Sequence, residues 1–213
     1  MRTDDLVRLL ATGAPAVPAH VPEKRHAIAL AAGALVSLAM MAAWLGVRTD
    51  IASAVFLPMF WVKLAFPALL ALASLALALR LARPGARTGR VPAMLALPVL
   101  AMWALGGFAL SQAVPGEARS LLLGGSWQVC PFNIAALSVP LFAGALWAMK
   151  GLAPTRLALA GGAAGLLSGC LAAVVYALHC PEMAPPFLGI WYLLGMLIPA
   201  AVGALAGPRL LRW

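Results

Sequence analysis

LPMFWVKLAFPALLALASLALALR, residues 57–80, carries one charge, Lys63, before its closing arginine. About 20 apolar residues is the length of helix that crosses a hydrocarbon core of about 30 Å. Similar blocks lie at about 26–47, 91–112, 131–149, 156–177 and 187–207. In lipid every backbone polar group must be paired internally, so blocks of this kind are helices. The ten-residue alternation of a membrane barrel is absent. The sequence therefore predicts an all-α, polytopic integral membrane protein with six transmembrane helices.

Composition agrees. Of 213 residues, 64% are hydrophobic and 10% are charged. A soluble domain is typically about half apolar and about a quarter charged. The net charge of +9 does not mark a nucleic-acid binder, because no basic, aromatic-interleaved soluble module carries it. No direct nucleic-acid binding is expected.

The basic residues instead gather at the ends of the blocks. Arg2, Arg8, Lys24, Arg25, Arg80, Arg83, Arg87, Arg90, Lys150, Arg156, Arg209 and Arg212 fall on the side of the N-terminus, and Arg48, Lys63 and Arg119 on the other. Twelve against three places both termini in the cytoplasm of a multi-pass inner-membrane protein.

Residues 1–25 read as a separate cytoplasmic segment. In MRTDDLVRLLA, Thr3 or Asp4 starts a short helix with Leu6, Leu9 and Leu10 at helical spacing. ATGAPAVPAHVP then reads as a stiff, extended tether. The acidic Asp4 and Asp5 and that tether argue against a signal peptide. Residues 26–213 form the transmembrane domain.

Within it, Gly161, Gly165 and Gly169 recur every four residues and line one helix face. Small residues there let a neighbouring backbone come close. Gly203 and Gly207 repeat the spacing in the last block.

Two Cys-Pro steps stand at block edges, in WQVCPFNIAALS (127–138) and LHCPEMAPP (178–186). The charge bias puts Cys130 and Cys180 at the outer ends of one antiparallel hairpin. Three chemistries fit such a pair. One is a permanent disulfide in an oxidising compartment. Another is a switchable thiol pair. The third is a soft metal site for copper or zinc, with His179 and Met183 as further ligands. Two cysteines and one histidine fall short of a four-ligand zinc site. Cys170, inside the fifth block, reads as a small core hydrophobe.

Lys63 follows Phe60 and Trp61 near the outer end of its helix. It either snorkels to the interface or meets a buried partner. Asn133 is a second polar group able to bond across helices. No helix has an ionisable group at its centre, which weighs against a pump or coupled transporter. Motifs for catalysis are absent, so no enzyme is expected.

MRTDDLVRLLA, WVKLAFPALLAL, WQVCPFNIAALSVPLF and LHCPEMAPPFLGIWYLLGMLIPAAVGALAGPRLLRW together resemble the NrsF-type family of bacterial membrane anti-sigma factors. The resemblance spans nearly the whole chain. It implies a six-helix membrane protein that holds an extracytoplasmic-function sigma factor inactive. It also implies that outer-side cysteines, matched here by Cys130 and Cys180, sense heavy-metal or oxidative stress. On this reading Asp4, Asp5, Leu6, Leu9 and Leu10 bind the sigma factor, and the six helices are the sensor. No cofactor is implied with certainty beyond a soft metal at the cysteines. The alternatives are a membrane thiol-disulfide oxidoreductase, which lacks a Cys-x-x-Cys pair here, and a small-molecule transporter.

Overall fold

A computed structural model describes residues 2–12, 21–83, 85, 87–150, 152 and 154–212. All regular structure among them is helical. Helix α1, Thr3–Thr12, precedes the bundle. Helix α2, Val21–Met40, continues as a π-helical turn, Met41–Leu45. A short α3, Ile51–Ala54, leads into α4, Pro58–Leu81, and then α5, Val91–Ser111. The connection α6, Ala118–Leu123, is followed by α7, Cys130–Lys150, and α8, Leu157–Tyr176. The last span starts as α9, Pro185–Phe187, passes through a second π turn, Leu188–Tyr192, and ends as α10, Leu193–Leu210.

Six of these segments are long and apolar enough to cross a membrane: Glu23–Leu45, Pro58–Leu81, Val91–Ser111, Cys130–Lys150, Leu157–Tyr176 and Pro185–Leu210. They coincide with the six apolar blocks. The first helix begins earlier than the block does. Val21-Pro22-Glu23 supplies a proline in the first turn, where no amide partner is needed, and an acid beside the positive end of the helix. Of the expected tether, Ala11 and Thr12 belong to α1 and the last two residues to α2, while residues 13–20 lie outside the described residues.

Helix α8 is the hub, packed against α4, α7 and α10. Its sequence explains why: glycine and alanine leave only a thin shell around the backbone. A Cβ added at Gly161 would strike the Gly203 carbonyl, and one at Gly165 the Pro199 carbonyl. At Gly169 it would lie 2.7 Å from the Met196 carbonyl oxygen. The α8–α10 contact is therefore backbone against backbone, as small-residue faces permit.

Helix α5 is peripheral, touching α4 and the start of the last span. Its Leu97, Leu100 and Phe108 face outward. Outward apolar side chains suit a surface solvated by lipid rather than water. Prolines lie inside α4, α5, α7 and α10, as membrane-spanning helices tolerate.

Candidate functional site

Both π turns lead to one place. The first ends at Gly46, whose φ of 76° lies in the left-handed region open to glycine. That turn aims the Gly46 carbonyl at the far end of α8, where the His179 Nδ1 donates to it at 2.8 Å. Two residues on, the Arg48 amide donates to the Leu178 carbonyl at 3.1 Å. The Arg48 side chain forks onto Asp50, with Nε to Oδ1 and Nη2 to Oδ2 both at 2.7 Å. Its Nη1 donates to the Cys180 carbonyl at 3.4 Å. Thus the chain leaving α2 is stitched to the chain leaving α8.

Lys63 closes the joint from α4. Its side chain is fully buried. Nζ donates to the Cys180 carbonyl at 2.5 Å and to the Glu182 carbonyl at 2.8 Å. It also lies 5.4 Å from the centroid of the Tyr192 ring. Burying an ammonium costs several kcal/mol unless its hydrogen bonds are replaced. Here carbonyls just past the α8 terminus replace them, and the ring face adds a cation–π attraction. Among the described residues Lys63 makes no ion pair, since the Glu182 carboxylate turns away to accept from the Gly125 amide at 2.7 Å. The lysine therefore does not snorkel. Two carbonyls of the 178–182 turn outcompete the interface. Trp61 does sit at the span's edge, donating Nε1 to the Val55 carbonyl at 2.9 Å.

Cys130 and Cys180 join the same buried cluster, both with no exposed surface. Each lies within electrostatic reach of Lys63, and Cys130 also of Cys180. Ser126 ties them: its carbonyl accepts the Cys130 amide at 2.9 Å, and its hydroxyl lies 4.0 Å from the Cys180 sulfur. Both are free thiols here, as is Cys170, which is buried in α8 away from this joint. Cys130 opens α7 with Pro131 in its first turn, and Cys180 closes the turn after α8 by donating its amide to Tyr176 at 3.0 Å.

The other expected residues scatter. His179 is engaged by Gly46, and Met183 is half-buried beyond Glu182. Among the described residues no three His, Cys, Asp or Glu side chains are grouped as a metal ion would need. Asn133 sits half-buried on α7 beside the Tyr176 hydroxyl. Asp4, Asp5, Leu6, Leu9 and Leu10 are all exposed on α1, far from the thiols in the chain. Gly161, Gly165 and Gly169 serve the α8–α10 contact instead of the site.

Sequence reasoning missed four members of the joint. Arg48 and Asp50 were legible only as a charge pair with one residue between them. Tyr176 and Tyr192 are the chain's two tyrosines, and both are fully buried here. Two tyrosines in so apolar a chain, one four residues before Cys180, was the available signal. The Tyr192 hydroxyl lies against the Cys180 side chain and within electrostatic reach of both cysteines.

Between the spans, the hydrogen bonds from Arg48 hold the Asp50 carboxyl below the usual carboxylate range. The same pair raises the Arg48 guanidinium above its ordinary value. Arg48 thus stays charged and keeps its fork.

Chemically, the arrangement is two buried thiols, Cys130 at the start of α7 and Cys180 on a turn whose carbonyls Lys63 and Arg48 hold. Lys63 and Arg48 thus fix the segment that carries Cys180. That couples α2, α4, α7 and α8 at one point.

Known proteins place the chain. Residues 10–213 match the family NrsF, described as negative regulator of sigma F. A probable anti-sigma-F factor NrsF of Azospira oryzae is 56% identical over 213 residues, covering all of both chains. An anti-sigma-F factor NrsF of Caulobacter vibrioides is 41% identical over 215 residues, again covering both entirely. No solved structure matches. On this full-length similarity, the chain belongs to the NrsF family of negative regulators of sigma F.

Proposed function

We propose that this chain is an inner-membrane anti-sigma factor. It sequesters an extracytoplasmic-function sigma factor through α1 on the cytoplasmic side. It releases that factor when Cys130 and Cys180 meet an oxidant or a heavy-metal ion. The observation that carries the reading is the end-to-end similarity to proteins named anti-sigma-F factors. Two structural features support it. Helix α1 exposes Leu6, Leu9 and Leu10 and buries none of its residues. A helix of this length is marginal alone and gains order by laying its apolar face in a partner's groove. The thiols sit at the joint of four helices, where a local change reaches several spans.

On oxidation, each thiol loses a proton and the pair gives two electrons to the oxidant, closing one S–S bond. A disulfide contributes about 2–4 kcal/mol. Moving a two-state equilibrium from 1:99 to 99:1 takes about 5.5 kcal/mol, so a sulfur bond that also displaces the Lys63 contacts is of the right order. A thiophilic metal ion would act on the same atoms.

The test uses the full-length protein in cells beside its sigma factor, with a reporter on the target promoter. Wild type is expected to keep the promoter silent and to release it on exposure to cadmium or peroxide. Cys130→Ser and Cys180→Ser are expected to stay silent under both. Normal induction in both variants removes the cysteines from the mechanism. A promoter already open with wild type present removes the anti-sigma reading itself.

A further inference from the structure

At the end of the bundle where α2 begins, a cavity of about 180 Å³ is lined by Leu81, Arg83, Gly85, Arg87, Thr155 and Arg156. We propose that it binds the phosphate of an anionic phospholipid headgroup. The proposal is independent of the sigma-factor reading, since it uses neither α1 nor the cysteines.

Charge is the first argument. Three arginines line one cavity. Arg83 is partly neutralised by Glu23, Nη2 to Oε1 at 2.9 Å. Among the described residues neither Arg87 nor Arg156 makes an ion pair. Two arginines without an ion-pair partner among the described residues therefore line one space, together with Thr155. Guanidinium forks match phosphate oxygens in geometry as well as charge. Helix ends do not decide the matter. The carboxyl end of α4 at Leu81 and the amino end of α8 at Leu157 both border the site, and their partial charges oppose.

Depth is the second. Leu81 is the last residue of one membrane-spanning helix, and Arg156 immediately precedes another. Leu81 is buried at the floor, while the arginines are exposed above it. The cavity thus stands where hydrocarbon gives way to headgroups, and basic pockets between helices at that level suit anionic headgroups. Its volume far exceeds the roughly 10–15 Å³ that admits one water.

Build is the third. The loop is held in shape by Arg80, whose Nη1 donates to the Thr88 carbonyl at 2.7 Å. Gly85 and Gly89 take φ values of 71° and 57°, which side chains disfavour.

The test is native mass spectrometry of the full chain released from mixed micelles. Phosphatidylglycerol and phosphatidylcholine are offered separately, and inorganic phosphate in a third arm. Wild type is expected to retain phosphatidylglycerol preferentially. The double variant Arg87→Gln, Arg156→Gln is expected to lose that preference about thirtyfold, roughly a factor of five for each arginine. Arg209→Gln with Arg212→Gln removes the same charge elsewhere and is expected to leave retention unchanged. Circular dichroism checks that each variant keeps its helices. Equal retention of the two lipids, an equal loss in the control pair, or displacement of the lipid by millimolar inorganic phosphate would each overturn the proposal.

Discussion

Lys63 shows how a single buried charge can be tolerated and used. Its two carbonyl partners lie on the turn that carries Cys180, so the lysine is a clamp on that turn. Lys63→Met keeps the volume and removes both hydrogen bonds. Arg48 still reaches the Cys180 carbonyl, so the Glu182 carbonyl loses its donor, and an unpaired acceptor of this kind costs about 1–3 kcal/mol, partly offset by removing a buried charge. The turn should then open more often. Alkylation of Cys180 in the intact protein is expected to speed up at least about tenfold, as a loss of about 1.4 kcal/mol of protection implies. An unchanged labelling rate would show that the lysine does not keep the thiol covered.

The Arg48–Asp50 pair makes a pH prediction at the same scale. The fork onto Asp50 keeps the arginine charged against the opposing effect of burial, so the titrating partner is Asp50, whose folded value is depressed. A depressed carboxylate contributes stability above its unfolded value, near pH 4, and loses it as pH falls through the lower folded value. The gap in thermal midpoint between wild type and Asp50→Asn should be flat from about pH 5 to 8. It should close only below about pH 4. A gap that instead varied across neutral pH would point to another group.

At the scale of elements, the bundle depends on one close contact. Helices α8 and α10 meet along glycines, with Gly165 against the backbone of Pro199 and Ala200. Gly165→Ala places a methyl where that backbone stands and must push the helices apart. A cost of about 1–3 kcal/mol is expected, the range for forced overpacking. Gly162, one turn position away, is different: its nearest neighbour to an added Cβ is the Ala204 Cβ at 3.4 Å. There the methyl fits, and alanine's better helix propensity adds about 0.5–1 kcal/mol. Thermal unfolding in detergent should lower the midpoint of the first variant and hold or raise that of the second. Equal effects would mean that helix propensity, not contact, sets the outcome.

For the whole molecule, two ends carry separate tasks. Helix α1 has no buried residue, and the thiol joint lies at the start of α7 while the α2 start lies beside the end of that helix. Replacing Leu6 and Leu9 by Asp should therefore abolish capture of the sigma factor by the full-length protein while the bundle's unfolding midpoint moves by less than about 0.5 kcal/mol equivalent, the usual span for surface changes. Loss of capture together with loss of the bundle would mean that α1 supports the fold.

Six spans, their order and the glycine face of α8 were legible in the chain, because lipid leaves the backbone no option but helix and small residues leave neighbours nothing else to pack on. The two Cys-Pro steps were legible as special, and their chemistry stayed open. What tertiary structure alone decided is the company those cysteines keep. Lys63, Arg48 and Tyr192 come from three separate elements, and Lys63 chose buried carbonyls over the interface. No local pattern encodes that choice. It depends on where the turn after α8 ends in space, which is set by how closely α8 packs on its neighbours.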